Sequence, residues 1–251
     1  MNFRLDGQVA LVTGAGAGIG RGIAEMFAGA GAAVVVSDLK QDAADAVAQG
    51  IVAAGGKAVG VACNVTKEAD LAAAVEAAVS TFGKLTILVN NAGGGGPKPF
   101  DMPMEDFRWA YELNVFSVFR LCQLAAPHME AAGGGAILNI TSMSGDNKNQ
   151  RMASYGSSKA AESHLTRNIA FDLGPKNIRV NAIAPGATRT AALASVLTPE
   201  IEAVMLKHTP LKRLGEPADM AHAALFLCSP AASWVSGQVL TVSGGGLQEL
   251  D

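Results

Sequence analysis

The segment Thr13-Gly14-Ala15-Gly16-Ala17-Gly18-Ile19-Gly20 decides the fold, because it joins an apolar run, Gln8–Thr13, to a helical pattern, Ile19–Ala30. Glycines in such a turn let the backbone approach a ligand closely, and the start of the helix offers free N–H groups to an anion. A glycine motif alone is a weak signal, but its place between strand and helix makes it a strong one. We therefore predict that the pyrophosphate of a dinucleotide binds here, in contact with Gly14, Gly16, Gly18, Ile19 and Gly20.

The rest of the chain alternates short apolar runs with longer helical stretches. The predicted strands are rich in Val, Ile and Leu without strict alternation, as expected for strands buried on both faces; they are Gln8–Thr13, Ala33–Ser37, Ala58–Ala62, Thr86–Asn90, Gly135–Thr141, Ile178–Ala184 and Val239–Val242. The predicted helices are Ile19–Ala30, Asp42–Ala54, Lys67–Phe82, Met104–Ala131, Met152–Leu173 and Pro217–Cys228. This order predicts an α/β protein of the doubly wound Rossmann type, in which a seven-stranded parallel sheet is flanked by helices.

Length and composition favour a single globular domain over residues 1–251, since no linker-like segment divides the chain. Hydrophobic residues make up 49% of the chain and charged residues 16%, which is typical of a compact protein rather than a disordered one. The net charge of −3 and the lack of a basic patch argue against nucleic-acid binding. No apolar run approaches the ~20 residues of a membrane span, so we expect no membrane association.

The cysteines and histidines argue against secretion and against a metal site. Cys63, Cys122 and Cys228 are far apart in sequence and are expected to be buried free thiols in a reducing compartment. The first seven residues lack an apolar signal region, so we expect a cytoplasmic protein. The histidines show no paired ligand spacing, and we predict no metal at His128, His164, His208 or His222.

Asp38 ends the second predicted strand, where a carboxylate can accept hydrogen bonds from the hydroxyls of the adenosine ribose. The same carboxylate would repel a 2′-phosphate at close range. The sequence therefore predicts NAD as the cofactor rather than NADP, although Lys40 lies near enough to soften that preference.

Tyr155 and Lys159 stand four residues apart at the start of a predicted helix and so share one helix face. A tyrosine ordinarily has a pKa near ~10, but an adjacent ammonium and the positive ring of oxidised nicotinamide both stabilise the phenolate. Tyr155 could then take the proton of a secondary alcohol while hydride passes to nicotinamide, and could protonate the alkoxide in the reverse direction. Ser142, just past the fifth strand, is predicted to orient the substrate oxygen. The rival proton donor is Tyr111, because the chain has two tyrosines.

Taken together, these motifs resemble those of the short-chain dehydrogenase/reductase family, and they follow the family's order along the chain: Thr13-Gly14-x-x-x-Gly18-x-Gly20, Asn90-Asn91-Ala92-Gly93, Ser142, Tyr155-x-x-x-Lys159 and Pro185-Gly186. The resemblance implies that Asn114 holds a water connecting Lys159 to solvent, and that Lys159 also bonds the nicotinamide ribose. It implies that Thr190 helps to hold the carboxamide, and that Asn90 supports the central sheet. Further cofactor contacts are expected at Leu39, Asn64, Val65, Asn91, Pro185 and Gly186.

The family resemblance also implies a homotetramer. One interface would use the two long helices that hold Asn114 and Tyr155, and a second would use the C-terminal segment. At the position of Asn64 the family commonly has an aspartate that contacts adenine. At the position of Ala191 the family often has a second aspartate. For Arg189, which stands where the family tends to have an apolar residue, two alternatives remain: it pairs with a substrate carboxylate, or it faces water.

Within the family, the chain is most similar to the hydroxysteroid dehydrogenase branch, on segments 93–103, 147–149, 223–230 and 234–237. That resemblance implies oxidation of the 7α-hydroxyl of a bile acid or steroid to a 7-ketone. The glycine run after Asn91 would leave room for a broad rigid ligand, and residues 188–209 are predicted to form an apolar lid. The predicted substrate contacts are Gly95, Ser142, Asn147 and Tyr155.

Other substrates stay open, because this fold and this machinery do not by themselves choose a substrate. A 3-oxoacyl thioester, a sugar or a polyol are alternatives within the family. An alternative of another class is a non-catalytic dinucleotide sensor, although such proteins often lack the tyrosine or the lysine that are both present here.

Overall fold

The computed structural model describes residues 3–148, 150–207 and 209–245 of the chain. Three features of the sequence lie outside these residues: His208, Asn149 and the C-terminal segment from residue 246 that was expected to form an oligomer contact.

One seven-stranded sheet, with all its neighbours parallel, forms the centre of the molecule. Its strand order is β3-β2-β1-β4-β5-β6-β7, and the strands are β1 Val9–Thr13, β2 Ala33–Asp38, β3 Lys57–Ala62, β4 Ile87–Asn90, β5 Gly135–Ile140, β6 Ile178–Pro185 and β7 Val239–Val242. Each strand begins and ends within one residue of its predicted bounds. The doubly wound prediction is thereby confirmed. The order reverses between β1 and β4, which is where such sheets open a ligand crevice.

Helices cover both faces of this sheet. They are α1 Gly18–Gly29, α2 Gln41–Ala53, α3 Glu68–Phe82, α4 Met104–Tyr111, α5 Ser117–Ala131, α6 Ala153–Leu173, α7 Ala191–Ala194, α8 Pro199–Lys207 and α9 Pro217–Cys228. Alternate residues of β1 serve two cores: Val12 packs with α1 and α9, whereas Leu11 packs with α3 and α5. Every residue of β1 is buried, which explains why its sequence shows a continuous apolar run rather than alternation.

The prediction of one continuous helix over Met104–Ala131 is wrong in its middle. A π-helical turn, Glu112–Phe116, separates α4 from α5 and contains the buried residue Asn114. Such a turn inserts one extra residue and is common at functional sites. Hydrophobic periodicity does not reveal it, because the apolar residues on either side still follow a helical pattern.

The segment predicted as a lid, residues 188–209, contains two short helices, α7 and α8. Several of its apolar side chains are exposed, among them Val196 and Val204. Within the described part of the chain, no helix combines the length and the apolar character needed to cross a bilayer.

Candidate active site

A cavity of about 440 Å³ opens at the carboxyl ends of β1, β4, β5 and β6. The glycine turn forms one side of it, and α6 and the segment after β6 form others. Many of the predicted site residues line this one cavity: Gly14, Gly18, Ile19, Asn91, Ser142, Tyr155, Lys159, Pro185, Gly186 and Thr190.

The glycine turn is held in shape by Asn91. Its side-chain Nδ2 donates to the carbonyl oxygens of Thr13, at 2.9 Å, and of Gly14, at 3.0 Å. A Cβ on Gly20 would overlap that amide group and the Gly14 carbonyl, so only glycine fits there. Ala17, the residue before α1, provides no side-chain cap, which leaves the first N–H groups of the helix available to an anion at the cavity.

Asp38 lies at the end of β2, as predicted, and is fixed against the glycine turn. Its Oδ2 accepts a hydrogen bond from the Gly16 N–H at 2.9 Å, and its Oδ1 accepts one from the Lys40 N–H at 3.1 Å. A Cβ on Gly16 would lie 2.8 Å from the carboxyl carbon. The carboxylate is therefore held beside the turn, in a position that fits the ribose of a bound dinucleotide.

The residues predicted to contact adenine differ in their exposure and in their hydrogen bonding. Asn64 uses its side-chain oxygen within its own turn, where it accepts hydrogen bonds from Thr66 N at 3.1 Å and Thr66 Oγ1 at 2.8 Å. Leu39 is exposed and Val65 is buried. Contacts of these residues with adenine stay predictions.

Tyr155 and Lys159 lie on α6, and both reach the cavity. The Lys159 ammonium is buried and donates to the Ile140 carbonyl at 2.8 Å and to Glu162 Oε2 at 2.7 Å. An ammonium carries three donors, so one proton remains for the cavity side. Ser142 Oγ accepts a hydrogen bond from Ser144 N at 3.1 Å, which orients the serine while its own hydroxyl proton is free to donate.

Glycines after β4 allow side chains of the predicted catalytic residues to approach the loop closely. A Cβ on Gly93 would lie 3.0 Å from Asn114 Oδ1 and 3.1 Å from Lys159 Nζ. Gly95 has a φ of +141°, and a Cβ there would lie 2.5 Å from Cδ2 of Tyr155. Gly95 thus packs on the Tyr155 ring, and its contact with substrate remains a prediction.

Asn114 joins the loop after β4 to α6. Its Nδ2 donates to the Gly94 carbonyl at 2.9 Å and to Ser158 Oγ at 3.0 Å, and its Oδ1 accepts from Gly94 N at 3.0 Å. The side chain thereby fixes the loop, whereas the water relay stays a prediction. Tyr111, the rival proton donor, stacks on Phe107 with ring centres 5.3 Å apart and is not among the residues that line the cavity.

The segment after β6 closes the site from the other side. Gly186 N donates to the Val242 carbonyl at 2.9 Å, and a Cβ on Gly186 would meet Ser243 at 2.8 Å. Thr190 caps α7 by accepting a hydrogen bond from Leu193 N at 3.3 Å, and its methyl group lies close to Gly18. This arrangement brings the first residues of the predicted lid next to the glycine turn.

Asn147 follows the short 3-10 helix Met143–Gly145. Its Nδ2 is buried and has no hydrogen-bond partner among the described residues, so a ligand group could satisfy it. Its contact with substrate remains a prediction.

Sequence reasoning missed Glu162, which lies three residues after Lys159 and is buried against the ammonium. The signal was available, because residues three apart on a helix are neighbours. The prediction for Lys159 rested on Tyr155, one helical turn before it, and did not include Glu162, one turn after it.

A family model described as enoyl-(acyl carrier protein) reductase matches residues 14–246. The 7α-hydroxysteroid dehydrogenase of Escherichia coli (strain K12) is 67% identical over 250 residues, which cover 100% of this chain and 98% of that protein. The chain belongs to the short-chain dehydrogenase/reductase family.

Two further relatives bear on the chemistry of this short-chain dehydrogenase/reductase. A solved structure of a 7α-hydroxysteroid dehydrogenase complexed with NADH and 7-oxo glycochenodeoxycholic acid has a TM-score of 0.97 and 67% identity, and the match covers 100% of this chain and 98% of that one. The 3-oxoacyl-acyl-carrier-protein reductase of Aquifex aeolicus (strain VF5) is 37% identical, over 98% of this chain and 99% of that protein.

Among the departures from the family pattern, Arg189 is exposed to water, as one of its two alternatives expected, and it also forms ion pairs within the protein. Its guanidinium pairs with Glu202 on α8 at 2.9 Å and with Glu216, just before α9, at 3.3 Å. The side chain ties the lid to the body of this short-chain dehydrogenase/reductase. Ala191 lines the cavity as the first residue of α7. No three His, Cys, Asp or Glu side chains are grouped to hold a metal in the described portion of the molecule.

Proposed function

We propose that this protein is an NAD-dependent oxidoreductase that interconverts a secondary alcohol and a ketone, with the 7α-hydroxyl of a bile acid as its substrate group. The single observation that carries the proposal is the meeting of Tyr155, Lys159 and Ser142 with the glycine turn in one cavity. The identity of 67% along the whole chain to a 7α-hydroxysteroid dehydrogenase supports the substrate.

The residues present fit the dinucleotide. The uncapped start of α1 would take the pyrophosphate, Asp38 the adenosine ribose, and Lys159 the nicotinamide ribose, with Thr190 near the carboxamide. When bound, NAD supplies an acceptor for the hydride of the alcohol carbon. The relative whose structure contains NADH supports this choice of cofactor.

The chain's own residues handle the proton and the oxygen. Ser142 would donate a hydrogen bond to the substrate oxygen and hold it near the phenol. Tyr155 would take the hydroxyl proton in oxidation and return it in reduction. The buried Lys159 ammonium, one helical turn from Tyr155, would place a positive charge beside the oxygen that exchanges the proton. These roles make a non-catalytic sensor the weaker alternative.

Substrate binding would use the open side of the cavity. The Nδ2 of Asn147 is buried outside the residues that line the cavity, so its predicted contact with substrate would require this side chain to move on binding. Short side chains of the lid, Ala191 and Ala192, line the cavity and could contact an apolar ring system. An exposed lid with apolar residues suits a rigid, broad molecule that arrives from water.

A substrate panel tests this proposal. Purified protein is assayed with NAD on paired bile acids that carry or lack the 7α-hydroxyl, and with NADH on a 3-oxoacyl thioester. We expect NADH formation only with the 7α-hydroxylated member of each pair. Turnover of the thioester without turnover of any 7α-hydroxysteroid would reject the steroid assignment and favour the 3-oxoacyl alternative.

We propose a homotetramer in the cytoplasm. Large apolar side chains on and beside α4 and α5 are exposed, with Trp109 at 51% and Phe116 at 56%, and Trp234 is exposed at 99%. Three buried free thiols suit a reducing compartment. Light scattering on a sizing column tests the assembly, and we expect about four times the mass of one chain.

A further inference from the structure

The buried carboxylate of Glu162 has no role in the chemistry proposed above. Its side chain is 1% exposed, and its Oε2 lies 2.7 Å from the Lys159 ammonium. Its second oxygen, Oε1, is buried without a hydrogen-bond partner in the described structure. An unpaired buried carboxylate oxygen is costly, so core packing alone does not explain a glutamate at this position.

Glu162 is close enough to act on the catalytic centre. Lys159 lies between it and Tyr155 on α6, one helical turn from each. An anionic Glu162 offsets the positive charge of the ammonium, whereas a protonated Glu162 leaves that charge uncompensated. The phenolate of Tyr155 therefore experiences a different field in the two states.

Apart from Lys159, the described groups that interact with Glu162 are uncharged. Cys122 on α5 is a buried thiol whose pKa burial raises to about 12. The backbone carbonyl of Glu162 accepts from Thr166, which in turn accepts from Asn139 of β5. Asn90 of β4 bonds Asn139 and Cys122. Among the described residues, Lys159 is thus the charged group that governs Glu162.

Burial raises the pKa of Glu162 to about 7, against the opposing effect of Lys159. The carboxyl therefore changes its charge within the range in which the enzyme would work. Since the folded-state pKa is raised, the stabilisation from its protonation is complete below the unfolded value of 4.5 and is lost as the pH rises through about 7.

We infer that Glu162 is a positioning residue that sets the pH range of catalysis, by holding Lys159 and by offsetting its charge next to Tyr155. The inference rests on the proposed function, because it assigns Tyr155 the role of proton acceptor. Its prediction concerns the variant Glu162→Gln, which keeps the shape and an acceptor for the ammonium but removes the charge.

The first measurement is the pH profile of kcat/KM for alcohol oxidation. Above about pH 7, where wild-type Glu162 is anionic, we expect the acid limb of Glu162→Gln to lie at lower pH by up to roughly one unit, because the uncompensated ammonium favours the phenolate. Activity on the limb, relative to each protein's own plateau, then rises by up to about tenfold. The control Asp172→Asn removes the same charge from an exposed position on α6 and should leave the limb in place.

The second measurement needs neither cofactor nor substrate. Urea unfolding of the wild type should show a midpoint that falls between about pH 4.5 and pH 7, and this fall should be smaller in Glu162→Gln but not in Asp172→Asn. The inference requires both results. An acid limb that stays in place or moves to higher pH overturns it, and so does an unchanged pH dependence of unfolding.

These experiments separate the two proposals. If no secondary alcohol is oxidised by the wild type, the proposed function fails, while unfolding still reports the titration of Glu162. If Glu162→Gln does not fold, infrared spectroscopy of the wild type follows the buried carboxyl directly. A protonated-carboxyl band that titrates near neutral pH supports the inference, and titration only below about pH 5 overturns it.

Discussion

The start of α6 and the lid after β6 contribute to the same cavity but are built in opposite ways. Lys159, Glu162 and Asn114 on and beside α6 are buried, and each is fixed by hydrogen bonds of 2.7–3.0 Å. The lid has exposed apolar side chains, and its ion pairs at Arg189 lie in water. The comparison teaches that the groups around the Tyr155 side chain are held by buried hydrogen bonds, whereas the segment predicted to meet the substrate is held by exposed ion pairs.

The largest effect is expected from Tyr155→Phe, which removes the predicted proton acceptor on α6. Removing the phenolic oxygen leaves no group to accept the alcohol proton, so kcat should fall by about a thousandfold. Binding of NAD, followed by fluorescence titration, should change little. Tyr111→Phe is the matched control and should retain its activity, because that ring packs on Phe107 away from the cavity lining. A Tyr155→Phe protein with near-normal turnover would refute the assigned role.

Asp38→Asn tests the predicted contact with the adenosine ribose at the end of β2. Loss of a charge-assisted hydrogen bond is worth about 1.5–3 kcal/mol, so kcat/KM for NAD should fall roughly tenfold to a hundredfold. Use of NADP should improve, since the repulsion of its 2′-phosphate is lost. Asp42→Asn, at an exposed position in the first turn of α2, serves as the control. Equal use of NAD and NADP by the wild type would reject the reasoning about Asp38.

Gly95→Ala tests the contact between the loop after β4 and the Tyr155 ring. The new methyl group would lie 2.5 Å from the Tyr155 ring, at a φ that side chains rarely adopt, and should displace the phenol. We expect kcat to fall by about tenfold, as a displaced proton acceptor loses part of its contribution. Gly96→Ala is the neighbouring control, because a Cβ there meets nothing within 4 Å. Equal losses in the two variants would contradict this explanation.

Arg189→Gln tests the lid and should give the smallest effect. Exposed ion pairs contribute about 0–1 kcal/mol, so KM for the substrate should rise by no more than roughly fivefold with kcat unchanged. Lys176→Gln, which breaks an exposed pair with Glu130, controls for loss of a surface charge pair. A large fall in kcat for Arg189→Gln would show that the lid takes part in the chemistry and would break the comparison.

The sequence predicted the strands and the cavity residues well, because both depend on local signals. Runs of Val, Ile and Leu identify buried strands, and the spacing of Tyr155 and Lys159 places both on one helix face. It did not predict the π-helical turn at Asn114, since an extra residue leaves the apolar pattern intact on either side. It also left the partners of Arg189 undecided, because they come from Glu202 and Glu216, whose positions depend on the folded lid.

The most direct test of the account is a crystal structure with NAD and a 7α-hydroxylated bile acid. The account predicts that the 7α-oxygen lies within hydrogen-bond distance of both Ser142 Oγ and the Tyr155 hydroxyl, with the ring system under residues 188–207. A substrate oxygen bound away from Tyr155 would contradict it.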